Sequence, residues 1–205
     1  MPKKNFIIVV SSGPATGKST LVKLLAEHYS ATAFLEGEED DVPERIWQDI
    51  KSGENLLEMS IYFRNKRVDE YRRAMEIKKD GGRAIMDSFH MTNNIYAENW
   101  MQDEFAKELV KNITDCDSKL LPEPDLLICM SCGRQKSLDF ISWRGRKNED
   151  SERLLDKYWQ INEAHDKYYK KHKIKNTYFL DRTDLDFKTK KDFDFLIKEI
   201  DKRLK

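Results

Sequence analysis

A net charge of one sign is what this chain lacks most plainly: 37 basic residues stand against 37 acidic ones. A balanced surface gives no general attraction to nucleic acid or to anionic lipid, so binding to either is not expected. Long apolar runs are missing too. No stretch approaches the roughly 20 residues of a membrane span, and MPKKNFIIVV has neither the apolar core nor the cleavage site of a secretion signal. It reads better as a first strand. Cysteine is scarce, at 3 residues. An odd count without a signal fits a reducing, cytosolic compartment rather than a disulfide framework. Cys129 and Cys132 make one C-x-x-C with no second pair to complete a zinc site, and they close an apolar strand instead of opening a helix. Both are expected as buried or edge thiols. Proline and glycine, at 5 and 8, are too few for a flexible linker, and no repeat or low-complexity tract appears. The 205 residues are therefore read as a single domain, 1–205.

What is present begins with FIIVVSSGPATGKST over 6–20. A β-branched run breaks into a small-residue loop, followed by Leu21, Val22, Leu24 and Leu25 at helical spacing. Strand, loop, helix is the frame of a phosphate-binding P-loop. Its backbone N–H groups and the helix N-terminus offer partial positive charge to an anion, which makes Gly13, Pro14, Ala15, Thr16, Gly17, Lys18, Ser19 and Thr20 the expected nucleotide cradle. Lys18 would reach the terminal phosphates and the Ser19 hydroxyl would join a Mg²⁺ shell. One position departs from the usual spacing. The first glycine is expected five residues before Gly17, where Ser12 stands, and Gly13 comes one place late. Either Ser12 tolerates the turn or the loop is one residue short.

Apolar runs at 6–10, 31–35, 83–86, 126–130 and 178–180 read as strands, with helical patterns at 19–29, 54–79, 93–113, 136–143, 151–171 and 190–204 between them. Asp80-Gly81-Gly82 should stop the long helix, and Pro122 and Pro124 precede the fourth strand. The alternation predicts an α/β fold, a doubly wound five-stranded parallel sheet with helices on both faces and ligands at the C-terminal strand ends. At those ends stand Glu36 and Asp87. Asp87, beside the P-loop, suits the ordering of Mg²⁺. Glu36 faces the same crevice and could accept a proton from an attacking hydroxyl, although it also opens the acidic run 36–41, which by itself would be a solvated loop. The basic turn WRGRKNE is by itself an ordinary helix end, but beside a P-loop it reads as a lid over 144–150 with Arg144 and Arg146 as its cations. His28, His165 and His172 lack partners at ligand spacing and read as solvated or packed, whereas His90 lies near enough to Asp87 to touch a substrate. Trp47, Phe63, Phe89 and Trp143 could stack on a base or sit in the core. Tyr158, Trp159, Tyr168 and Tyr169 suit a dimer contact or packing on the sheet equally.

The segments SGPATGKSTLVKLLAEH, AFLEG, IYFRNKR, PDLLI, RGRKNE and LLDKYWQINEAHDKYY, in this order, resemble the deoxynucleoside kinase family over nearly the whole chain, the bacterial deoxyadenosine/deoxyguanosine kinases most of all. The resemblance implies transfer of the ATP γ-phosphate to a deoxynucleoside 5′-hydroxyl with Mg²⁺, by a homodimer. It makes Glu36 the base and Arg144 and Arg146 the lid arginines. It brings Arg67 near the substrate's 5′ end and base, and Glu149 to the sugar 3′-hydroxyl. Ser60 stands where the family reads the base with Gln or Asn, Asn93 where many members have Asp, and Trp47 where a Tyr contacts the sugar. After the third strand the family's acidic-Arg-Ser is Asp87-Ser88-Phe89, so an Arg is missing, and Arg64, one turn before Arg67, is the expected substitute. The resemblance leans towards a purine acceptor, but the base-reading positions are the ones that diverge. A thymidylate-type monophosphate kinase and a nucleotide-binding scaffold without transfer activity are the alternatives.

Overall fold

The computed structural model describes residues 4–36, 42–144, 152–172 and 174–205. Five strands form one wholly parallel sheet: β1 (Phe6–Ser11), β2 (Thr32–Phe34), β3 (Arg83–Asp87), β4 (Leu126–Ser131) and β5 (Thr177–Asp181), in the order β2-β3-β1-β4-β5. The period-2 alternation of side chains sorts the sheet's two faces. Ile7 and Val9 join Met86, Leu127 and Cys129 in one core, while Phe6, Ile8 and Val10 join Ile85, Leu126 and Ile128 in the other. Burial on both faces explains why these strands are continuous apolar runs. Each buried Ile, Leu or Val contributes about 1.5–3 kcal/mol relative to exposure.

Helices α1 (Lys18–Tyr29), α2 (Glu44–Ser52), α3 (Leu56–Lys79), α4 (Thr92–Trp100), α5 (Glu104–Leu120), α6 (Arg134–Arg144), α7 (Glu152–Lys171) and α8 (Lys190–Arg203) complete the described chain. Leu21, Val22 and Leu25 of α1 and Leu196, Ile197 and Ile200 of α8 fill one core; α3, α4 and α7 supply the other. The long helix ends as expected at Asp80-Gly81-Gly82. Gly81 takes φ 86°, and the Gly82 amide returns to the Ile77 carbonyl at 2.8 Å.

Two expectations need correction. The helix over 93–113 is two helices. Met101 is extended, and the Asp103 carboxylate accepts from the Phe105 and Ala106 amides at 2.9 and 3.4 Å, starting α5 afresh. Helix α2 was not anticipated; Ile46, Trp47 and Ile50 make its buried stripe, too short a pattern to separate from a loop. The two cysteines behave as expected. Cys129 and Cys132 are buried free thiols, and burial raises the pKa of both. Tyr158, Tyr168 and Tyr169 are buried within the chain, against α4 among other elements. Among the described residues, no helix is long and apolar enough to cross a membrane.

Candidate active site

The sheet order reverses around β1, whose C-terminal end lies between those of β3 and β4. This is where a doubly wound sheet opens a crevice, and a cleft of about 910 Å³ lies there. It is lined by the P-loop from Pro14 to Thr20, together with Glu36, Trp47, Ser60, Arg67, Asp87 and Asn93, all of them expected site residues. Gly13 is set back from the cleft against Asn162, whose side chain fills the space a Cβ would need.

The loop tolerates Ser12 because its left-handed residues lie elsewhere, at Ala15 (φ 55°) and Gly17 (φ 81°). Ser12 Oγ instead lies 2.5 Å from Thr16 Oγ1, which donates to the Gly13 carbonyl at 3.1 Å. The loop is tied internally and is not one residue short.

Lys18 points across the mouth of the crevice. Its Nζ is 2.7 Å from Asp87 Oδ1 and 3.9 Å from Glu36 Oε2. Asp87 is 1% exposed and accepts the Ser19 hydroxyl on Oδ2 at 2.6 Å; its Oδ1 faces Lys18 without a well-aligned hydrogen bond. Arg67, 4% exposed, donates through Nη2 to Glu36 Oε1 and through Nη1 to Asn93 Oδ1, with Phe63 under its guanidinium. Five side chains thus form one polar line from the P-loop to the far wall.

Among the described residues, no three His, Cys, Asp or Glu side chains could hold a metal by themselves. That suits Mg²⁺, which takes one or two protein oxygens and keeps phosphate and water for the rest. Ser19 Oγ and the under-coordinated Asp87 carboxylate are oxygens of the right kind, 2.6 Å apart.

The substitute expected at Arg64 is not in the cleft. Arg64 Nε donates to Asp117 Oδ2 at 2.8 Å and its Nη2 to Oδ1, so α5 holds the side chain away. Among the described residues, the guanidinium that does reach the loop is Arg182, one residue beyond β5, donating from Nη1 to the Thr16 carbonyl at 3.0 Å and lying between Phe140 (4.7 Å) and Phe187 (4.9 Å). Sequence reading missed Arg182, although the rule of looking at C-terminal strand ends points to it. Lys136 fixes the same corner by donating to the carbonyls of Arg182, Thr183 and Leu185. Tyr96, Trp100 and Tyr158 also line the cleft and were missed, since nothing in their spacing separates them from core aromatics. Of the other expected aromatics, Trp47, Phe63 and Trp143 line it, whereas Phe89 is core.

Ser88 holds φ 76°, a strained value for a residue with a Cβ, and its hydroxyl donates to Thr92 Oγ1 at 3.3 Å. His90 is buried beside α5, with Nε2 3.1 Å from Ser118 Oγ, and does not line the cleft, contrary to the substrate contact considered for it. Beneath the P-loop, Ser11 Oγ meets His165 Nε2 (3.1 Å), Tyr169 OH (3.2 Å) and Thr92 Oγ1 (3.2 Å), while His165 Nδ1 lies 3.6 Å from Cys129 Sγ. Burial lowers the His165 pKa to about 3 and that of His90 to about 4, so both imidazoles are neutral at pH 7. Arg144 ends α6; Arg146 and Glu149, with the rest of the expected lid, lie outside the described residues.

Comparison with known proteins agrees with this frame. The sequence model of the deoxynucleoside kinase family matches residues 8–205. The chain is 27% identical to a deoxyadenosine kinase of Lactobacillus acidophilus over 209 aligned positions, covering 97% of this chain and 96% of that one. A deoxyadenosine kinase from M. mycoides, solved with dCMP and dCDP, superposes with a TM-score of 0.79 at 16% identity over 96% of this chain and 99% of its own. Thymidylate kinase from Candida albicans reaches 0.66 at 17% identity over 98% and 94%. At such identities the two structures speak for the fold alone. With the family match spanning most of its length, the chain belongs to the deoxynucleoside kinase family, and it is a kinase that phosphorylates nucleosides.

Proposed function

We propose that the donor is ATP, that the acceptor atom is the 5′-hydroxyl of a deoxynucleoside, and that all of 1–205 acts as one kinase domain. The observation that carries this reading is the line Asp87–Lys18–Glu36–Arg67–Asn93, which joins an anion cradle to a carboxylate aimed at the acceptor side. In this reading Lys18 and the loop amides hold the β- and γ-phosphates. Glu36 takes the 5′-hydroxyl proton as the O5′–phosphorus bond forms and the bond from γ-phosphorus to the ADP oxygen breaks. Arg67 keeps Glu36 aimed. Ser19 and Asp87 would hold Mg²⁺, which when bound neutralises charge on the transferred group. Arg144 and Arg146 would close over the phosphates, with Glu149 on the sugar 3′-hydroxyl, as the resemblance implies. A purine base, a homodimer and a cytosolic setting belong to the same proposal.

A monophosphate acceptor is disfavoured because its dianion would meet the Glu36 carboxylate and needs no base. The scaffold alternative without transfer activity is set aside by the family match. The test is a transfer screen with Mg-ATP against deoxynucleosides, ribonucleosides and thymidine monophosphate, with K18A as control. Transfer to a deoxynucleoside that disappears in K18A supports the reading; transfer to the monophosphate alone overturns it.

A further inference from the structure

Three consecutive carbonyls of the loop before α1 are each held by a side chain from a different part of the fold. Asn162 of α7 donates from Nδ2 to the Pro14 carbonyl at 3.2 Å, and Ser137 of α6 donates from Oγ to the Ala15 carbonyl at 3.1 Å. Arg182 takes the Thr16 carbonyl. A carbonyl only accepts, so the contact fixes which end of the Asn162 amide faces Pro14. Asn162 and Ser137 are both buried, and neither lines the cleft, so they touch the loop from behind. The glycine that comes one place late admits the first of them. A Cβ on Gly13 would run into the Asn162 side chain.

In a trans peptide the N–H points opposite to the C=O of the same plane. Tying the Pro14 and Ala15 carbonyls behind the loop therefore turns the Ala15 and Thr16 amides to its front, where the cleft lies. Among the described residues, no backbone carbonyl accepts from either amide. Between the two tied peptides Ala15 holds φ 55°, a conformation that a residue with a Cβ keeps only where its surroundings impose it. A left-handed residue at such a place gathers successive amides into a nest for an anion. We infer that Asn162 and Ser137 are positioning residues for the phosphate donor, aiming the Ala15 and Thr16 amides at its phosphates. The inference rests on the reading of 13–20 as a nucleotide cradle. Neither side chain meets the donor or the acceptor, so removing one loosens the donor's phosphates and leaves the grip on the nucleoside unchanged.

The experiment measures kcat, KM for ATP and KM for a deoxynucleoside in the wild type, N162A, S137A and S137T. KM for ATP should rise roughly tenfold in each alanine variant, the worth of one hydrogen bond to a charged group. KM for the deoxynucleoside should stay at its wild-type value, and S137T, which keeps the hydroxyl, should restore the ATP value. Should N162A fail to fold, N162D takes its place with the same expectation, since it keeps the shape but has no donor for Pro14. An unchanged KM for ATP in the folded variants, an equal rise for both substrates, or a loss that S137T does not restore overturns the inference. If no nucleoside is phosphorylated, the proposed reaction fails separately. Calorimetry with inorganic tripolyphosphate then decides: binding weakened in N162A and S137A supports the inference, and equal binding or none overturns it.

Discussion

Glu36 sits between cations of unequal reach, Arg67 in direct contact and Lys18 at 3.9 Å from its other oxygen. A carboxylate so placed is oriented without being fully neutralised, which is what a proton acceptor needs. E36Q keeps the shape and removes the basicity. It should lower kcat by roughly 10²–10⁴-fold, the usual worth of a general base, with ATP affinity unchanged; near-wild-type turnover would remove Glu36 from that role. Gly17 offers a second test at this scale. Its φ of 81° is unfavourable for alanine, and a Cβ would run into Arg182 Nη1, which is held by Thr16 and two aromatic rings. G17A should cost about 1–2 kcal/mol of stability and weaken nucleotide binding as the loop shifts, measurable by denaturation and by calorimetry with ATP.

The break between α4 and α5 is a decision made by one side chain. Asp103 occupies two amides that would otherwise have no helical partner, and that favours a new start over a continuous helix. D103A should cost about 1 kcal/mol in urea unfolding while leaving kcat close to wild type, because α5 contributes no residue to the cleft lining. A large loss of activity would mean that α5 positions the site more directly, through the Arg64–Asp117 pair that anchors α3. Sequence alone could not place this break, since the apolar spacing runs through it. It did place the start of α1 and the end of α3, where lysine, serine and paired glycines leave the backbone few choices.

For the molecule as a whole, the buried histidines make stability depend on acid. In the unfolded chain both protonate near the ordinary 6.5, whereas in the fold His90 is lowered to about 4 and His165 to about 3. Between those values the unfolded state holds more protons. Stability is therefore full above about pH 6.5 and falls as pH drops, by up to about 1.4 kcal/mol per pH unit for each histidine. Thermal midpoints between pH 7 and 4.5 should show this decline, and H165N should flatten it; an unchanged slope in the variant would take His165 out of the account. The sequence by itself determined the parallel sheet, the glycine-bearing loop before α1 and the ends of the strands, because buried strands and small-residue turns carry short, local patterns. That Ser19, Lys18, Glu36 and Asp87 would meet in one crevice was legible for that reason. Tertiary structure alone decided that Arg64 turns to Asp117 while Arg182 comes to the loop, that His165 lies beneath Ser11, and which way the Asn93 amide points. Each depends on which distant side chain supplies the partner, and no spacing along the chain encodes that.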